Sequence, residues 1–237
     1  MSTSQTANLT KSLRRWPALW AVIALLALWP THVNADEISI WNFNDSDLIV
    51  DHGAGTLTTN FNLANVVFTL GGTSLNARQG DPAGQSMTLQ GGTSNSNNGR
   101  NLTLNVSTLG LSNIVVSFAT QGTSTGFNSN QLQYSLDGVA FMNFGAPYTP
   151  GLTFGLITFD LSSIPGLNNN ADAAFRIVFN GATSSSGNNR IDNIVVEGQP
   201  ITTPIPEPGS LLLLSLGLTG IGATKLKGWR RKLHRSR

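Results

Sequence analysis

Asp45, Asp47 and Asp51 crowd one short stretch of chain that runs straight into His52. Carboxylates at this spacing have two chemical uses. They can ligate a hard cation, which takes oxygen donors. They can also serve as a general-acid pair, as in glycoside hydrolysis, where two carboxyls flank the sugar bond. Adjacency in sequence does not place two carboxyls across a substrate, so a solvated acidic loop is the expected reading and the acid pair is the alternative. His52 is the one histidine outside the chain's terminal segments, and cysteine is absent. Ser/His/Asp catalysis, multi-histidine metal sites, thiolate ligands and cysteine nucleophiles therefore have almost no material. Trp41, Phe127, Phe144 and Tyr148 are the aromatic side chains that can stack on a sugar ring. Trp41 follows Ile40 in an alternating run and is expected in the core. Tyr148, between Pro147 and Pro150, is the candidate expected at the surface.

The elements that must position these residues read as strands. Leu102, Leu104 and Val106 alternate with Thr103 and Asn105, and Leu132, Tyr134 and Leu136 alternate with Gln131, Gln133 and Ser135. Ile114, Val116 and Phe118, and Phe175, Ile177 and Phe179, keep the same period of two, which is that of a half-buried strand. Residues 38–43, 66–70, 139–144, 154–161 and 191–196 complete about nine strands. Gly/Ser/Asn/Thr clusters at 91–99, 122–130 and 181–189 separate them. Asp137-Gly138 between two alternating runs signals a hairpin, because both residue types tolerate positive φ. No segment holds a long 3.6-residue period. The expected fold is all-β, a two-sheet antiparallel sandwich of the jelly-roll kind over residues 36–199.

The charges divide by region. Ten of the fourteen basic residues lie in the two ends, and the middle keeps Arg78, Arg100, Arg176 and Arg190. All twelve acidic residues fall between the ends, so that region carries 4 − 12 = −8. An acidic, lysine-free domain is repelled by phosphate backbones, and nucleic acid is not an expected partner.

The run Leu132-Gln-Tyr134-Ser-Leu-Asp137-Gly138, then Phe141, Arg176-Ile177-Val178, and Arg190-Ile191-Asp192-Asn193-Ile194-Val195-Val196, resembles the jelly-roll modules of secreted bacterial proteins, carbohydrate-binding ones among them. In such modules a structural calcium often sits between the first and last strands. The resemblance implies Asp192 as an acidic ligand from the last strand and Glu37, in the first, as its partner. The alternative is that Asp192 caps a turn or faces solvent.

The ends carry an address. Lys11, Arg14 and Arg15 precede an apolar run from about Trp16 to Trp29, and Val33-Asn34-Ala35 follows. This is the order of a secretory signal peptide over residues 1–35, cut after Ala35, with an uncleaved anchor as the alternative. At the other end come a Pro-rich linker over 200–208 with Pro206-Glu207-Pro208, then a Gly-punctuated apolar stretch and a basic tail with Arg230, Arg231 and Lys232, together 209–237. The apolar stretch is expected as a transmembrane helix. Basic residues flanking both apolar segments on their outer sides leave the region between them outside the cytoplasm.

This three-part C-terminal order resembles the PEP-CTERM sorting signal of Gram-negative bacteria that make exopolysaccharide. The resemblance implies a substrate of an exosortase, carried by the secretion machinery. It implies an inner-membrane-anchored intermediate and delivery to the cell surface or beyond. The expected function is thus a non-catalytic surface or matrix protein, associated with polysaccharide. The alternative is a secreted carboxylate-dependent glycoside hydrolase.

Overall fold

The computed structural model describes residues 35–201, and the structural statements below concern those residues. The segment up to residue 34 that is read as a signal peptide, the Pro206-Glu207-Pro208 motif, the apolar C-terminal stretch and the tail with Arg230, Arg231 and Lys232 lie outside them. No helix among the described residues is long and apolar enough to cross a membrane.

The chain is all-β, with two antiparallel sheets. The strands are β1 (Asp36–Trp41), β2 (His52–Gly53), β3 (Thr56–Thr59), β4 (Val66–Leu70), β5 (Gln85–Gln90), β6 (Arg100–Asn105), β7 (Leu111–Gly122), β8 (Gln131–Ser135), β9 (Phe141–Asn143), β10 (Gly155–Asp160), β11 (Ala174–Phe179) and β12 (Asn188–Pro200). One sheet has seven strands, in the path β10-β7-β12-β1-β2, with β5 also paired to β12 and β4 to β5. The other has five, in the order β3-β6-β11-β8-β9.

The alternation explains the sheets. Leu102, Leu104, Leu132, Phe175 and Ile177 of the five-stranded sheet, and Met87, Leu89, Ile114, Val116, Phe118 and Ile191 of the seven-stranded one, are fully buried in one shared core. Neighbours one residue away point to the opposite face, as a period of two requires. Strands β2, β3 and β5 were not anticipated. Strand β3 offers only Leu57 as a buried apolar residue, and β2 is two residues long, so neither displays a readable period. Strand β9 is shorter than the expected 139–144. The Asp137-Gly138 hairpin forms, but only Gly138 takes the left-handed conformation (φ 71°). Asp137 instead accepts hydrogen bonds from the Val139 and Ala140 N–H groups at 2.9 and 2.8 Å.

The loop of residues 71–84 crosses the outer face of the seven-stranded sheet and is fastened by polar contacts. Asn76 Nδ2 donates to Ser117 Oγ on β7 (3.1 Å) and to the Asn193 carbonyl on β12 (2.8 Å). Arg78 pairs with Glu37 on β1 and Glu197 on β12, each at 3.5 Å. That sheet's outer face is therefore covered over its centre, whereas the outer face of the five-stranded sheet remains open.

Candidate functional site

Residues paired directly across antiparallel strands present their side chains on the same face. On the outer face of the five-stranded sheet the register builds a continuous row, Thr58–Thr103–Arg176–Gln133–Asn143, with one residue from each strand. Four inter-strand gaps make this row about 19 Å long. Thr56, Asn105, Ala174, Ser135 and Phe141 form the row on one side of it, and Asn101, Val178 and Gln131 line the other. The central row is half-buried to exposed along its whole length.

Hydrogen bonds orient its members. Gln133 Nε2 donates to Asn143 Oδ1 at 2.9 Å, and Thr103 Oγ1 donates to Asn101 Oδ1 at 3.1 Å. Arg176 Nε donates to Thr103 Oγ1 at 3.2 Å, and its guanidinium lies 3.5 Å from the centre of the Phe141 ring. Partial burial lowers the Arg176 pKa from its usual value, but an arginine stays cationic throughout the physiological range. The face is thus a strip of hydroxyl and amide groups around one oriented guanidinium. Such groups donate to and accept from polyols. At one end the face meets a cleft of about 440 Å3, lined by Thr56 and Asn105 together with Asp137 and Asp172.

The four aromatic side chains do not come together as a stacking platform. Trp41 and Phe127 are buried in the core, as expected for Trp41. Tyr148 departs from its expected exposure. Its ring packs against Phe118 and Phe159 at 6.0 and 5.8 Å, and its hydroxyl is buried without a partner among the described residues. Desolvation pushes its pKa upward. The physical reason is backbone pairing: Tyr148 and Asn130 exchange N–H···O bonds of 2.8 and 2.9 Å, which draws the segment between Pro147 and Pro150 onto the sandwich edge. Phe144 joins the same cluster, 6.4 Å from both Tyr134 and Phe159.

The acidic loop is largely occupied with its own backbone. Asp47 Oδ1 accepts from the Ile49 N–H, and Asp51 Oδ2 from the Asn42 N–H, both at 2.7 Å. Desolvation raises the Asp51 pKa, with the negative charges of Asp45, Asp81 and Asp47 adding to it. His52 Nε2 lies 3.6 Å from Asp81 Oδ2, a neighbour from the covering loop that the sequence does not announce.

Asp192 and Glu37 are not brought together. Register places Glu37 opposite Glu197, five residues from Asp192 and about 16 Å along the strand. Glu37 engages Arg78 and accepts from Gln79 Nε2 at 2.9 Å. Asp192 is 1% exposed. Its Oδ2 accepts from the Thr73 N–H at 2.7 Å and its Oδ1 from the Asn193 N–H at 2.9 Å. Burial pushes its pKa up to about 7, against the opposing pull of those two bonds and the charge of Arg190. Beside it, a side chain at Gly72 would collide with Asp192 Oδ2 and with the carbonyl oxygens of Ala83 and Gln85, so three oxygens converge where only glycine fits.

Comparison with known proteins gives no match to a family model and none to a curated protein. Solved structures similar to this chain include TmCBM61 in complex with beta-1,4-galactotriose, at 15% identity and TM-score 0.41, covering 67% of this chain and 94% of that one. The CBM22-1 xylan-binding domain from Paenibacillus barcinonensis Xyn10C is 10% identical with TM-score 0.45, covering 73% and 100%. Domain 4 of AbnA, a GH43 extracellular arabinanase from Geobacillus stearothermophilus, in complex with arabinotriose, is 12% identical with TM-score 0.43, covering 71% and 95%.

Proposed function

We propose that this chain is an exported, non-catalytic cell-surface or extracellular-matrix protein, sorted through a PEP-CTERM signal, whose jelly-roll-type domain associates with polysaccharide. The observation that carries the binding half is the open face of the five-stranded sheet. One full row of hydroxyl and amide side chains crosses it on either side of Arg176, flanked by Thr56, Asn105, Asn101 and Gln131, and hydrogen bonds hold several of them in place. The sorting half rests on the order of the two ends. On this reading an exosortase and the secretion machinery are partners, and the membrane holds the intermediate before delivery to the surface. The hydrolase, which would use carboxylates such as Asp45 and Asp47, is the weaker reading, because Asp47 already commits a carboxylate oxygen to the loop backbone.

A structural calcium beside Asp192 belongs to the proposal. Asp192 would hold it by carboxylate, with the carbonyls of Ala83 and Gln85 nearby. Glu37 falls outside that set. A hard cation there supplies the positive charge that a buried carboxylate lacks.

Processing provides the test of sorting. In its host the mature protein is expected to begin at Asp36 and to lack the tail containing Arg230, Arg231 and Lys232. The triple variant Pro206→Ala, Glu207→Ala, Pro208→Ala is expected to keep that tail. Intact-mass spectrometry reads both, and a wild-type mature protein that still carries Arg237 would sink the sorting reading.

A further inference from the structure

We infer that the polysaccharide bound on the five-stranded sheet is acidic, a uronate-bearing chain, and that Arg176 is the residue that recognises its carboxylates. The inference rests on the polysaccharide reading given above and narrows it.

Charge segregation is the first support. The region between the two ends is strongly acidic, yet none of β3, β6, β8, β9 and β11 contains an aspartate or glutamate. A face whose strands carry no carboxylates, on a domain rich in them, does not itself repel a polyanion. Asp137 and Asp172 flank one end of it, at the cleft. A polyanion therefore lies over the central row and the Asn101–Val178–Gln131 side.

The second support is the state of Arg176 itself. Arg78 is paired with two glutamates. Arg190 donates to Ser86 Oγ and to the Leu70 carbonyl at 2.9 and 2.8 Å. Arg176 uses Nε alone, toward Thr103, and has no carboxylate within ion-pair reach among the described residues. Its two Nη groups likewise find no acceptor among those residues. They form a planar fork of donors that matches a carboxylate with two parallel hydrogen bonds. Phe141 beneath it fixes the plane of the fork, so little side-chain freedom is lost on binding. Gln133 and Asn143 on one side, and Thr103 and Asn101 on the other, flank the cation with groups suited to sugar hydroxyls.

The test uses the full chain purified in detergent, with two probes: oligomannuronate, and the same oligosaccharide after reduction of its carboxyls to alcohols. Calorimetry is expected to show the acidic probe bound about tenfold more tightly, the increment one charge-assisted bidentate contact supplies. Arg176→Gln should erase that preference, so that the acidic and the reduced probe bind it equally. Arg176→Lys, which keeps the charge and the stem but loses the fork, should retain only part of it, and guards against loss of fold in the glutamine variant. Arg100→Gln removes the same charge at the end of β6, off the row, and should leave the preference intact.

Equal binding of both probes would overturn the acidic assignment and leave polysaccharide binding standing. Binding of neither would remove both. Equal losses in Arg176→Gln and Arg100→Gln would show a diffuse field and overturn the role of Arg176. Displacement of the acidic probe by single-stranded DNA at equal charge concentration would show indifferent polyanion binding and overturn the uronate assignment.

Discussion

Truncation of Phe179 to alanine is expected to lower the stability of the domain by about 3–5 kcal/mol, the cost of a large cavity in a core that cannot collapse to fill it. Phe179 is fully buried, and its ring meets Phe61 at 5.6 Å and Phe127 at 5.7 Å, while those two rings lie 5.7 Å from each other. Each contact is edge-on, the arrangement that adds about 0.5–1.5 kcal/mol per pair beyond area burial. The three rings come from three places: the segment after β3, the connection between β7 and β8, and the end of β11. Phe61 and Phe127 cannot move into the void freely, because their N–H groups donate to Thr59 Oγ1 and Asn189 Oδ1, each at 3.1 Å. Val178→Ala, one residue away on the open face, should cost only about 0.5 kcal/mol. Urea unfolding of a fragment spanning residues 36–200 measures both, and equal shifts in midpoint would refute this account of the core.

The second large effect is at Asp192. Its carboxyl titrates near 7 in the folded chain because burial disfavours the anion, whereas in the unfolded chain it returns to its ordinary value of 3.8. The folded state therefore holds the proton more tightly. The contribution to stability is fully present below the unfolded value and is lost as pH rises through about 7. In chelator, the melting temperature should fall between pH 5 and pH 8 by more than in Asp192→Asn, which has no proton to lose. A cation bound at the carboxylate reverses the sign, because it stabilises the ionised folded form and is retained best at high pH. Calcium should thus raise the melting temperature at pH 8, hardly at pH 5, and not at all in Asp192→Asn. Identical curves in calcium and chelator would dismiss the metal. A flat curve in chelator would dismiss the shifted carboxyl.

Strand content was legible where both faces of a strand differ in polarity. Leu102 and Leu104 against Thr103 and Asn105 announce β6, and the polar half of that strand supplies Asn101, Thr103 and Asn105 to the candidate face. What the sequence hid was register. Nothing in Gln133, Arg176 or Thr103 taken singly says that they stand side by side, because β7 separates the first two of their strands in sequence and β9 and β10 the last two. Tyr148 misleads for the reverse reason. Its flanking prolines suggest exposure, but a single backbone bridge to Asn130 outweighs them. Asp192 was placed rightly in the last strand. Glu37 likewise stands in the first strand, but it pairs with Glu197, and Asp192 lies beyond the far end of the β1–β12 ladder, so adjacency of the two strands does not bring the two carboxyls together.

That ladder also settles how the domain carries load. Strand β12 runs thirteen residues inside its sheet, with β7 along one side and β5 and then β1 along the other. Asp36 stands opposite Gly198, so the point where the domain begins and the point where it leads into the tail are neighbours. Opposing pulls on those two points unzip β1 from β12 one rung at a time, at low force. A pull on the chain past Pro200, resisted by something gripping the far sheet, loads β12 along its length, and the rungs on both of its sides must shear together. If the domain is tethered by its C-terminal side and grips a matrix with its five-stranded face, as proposed, tension meets the lattice in its strong direction.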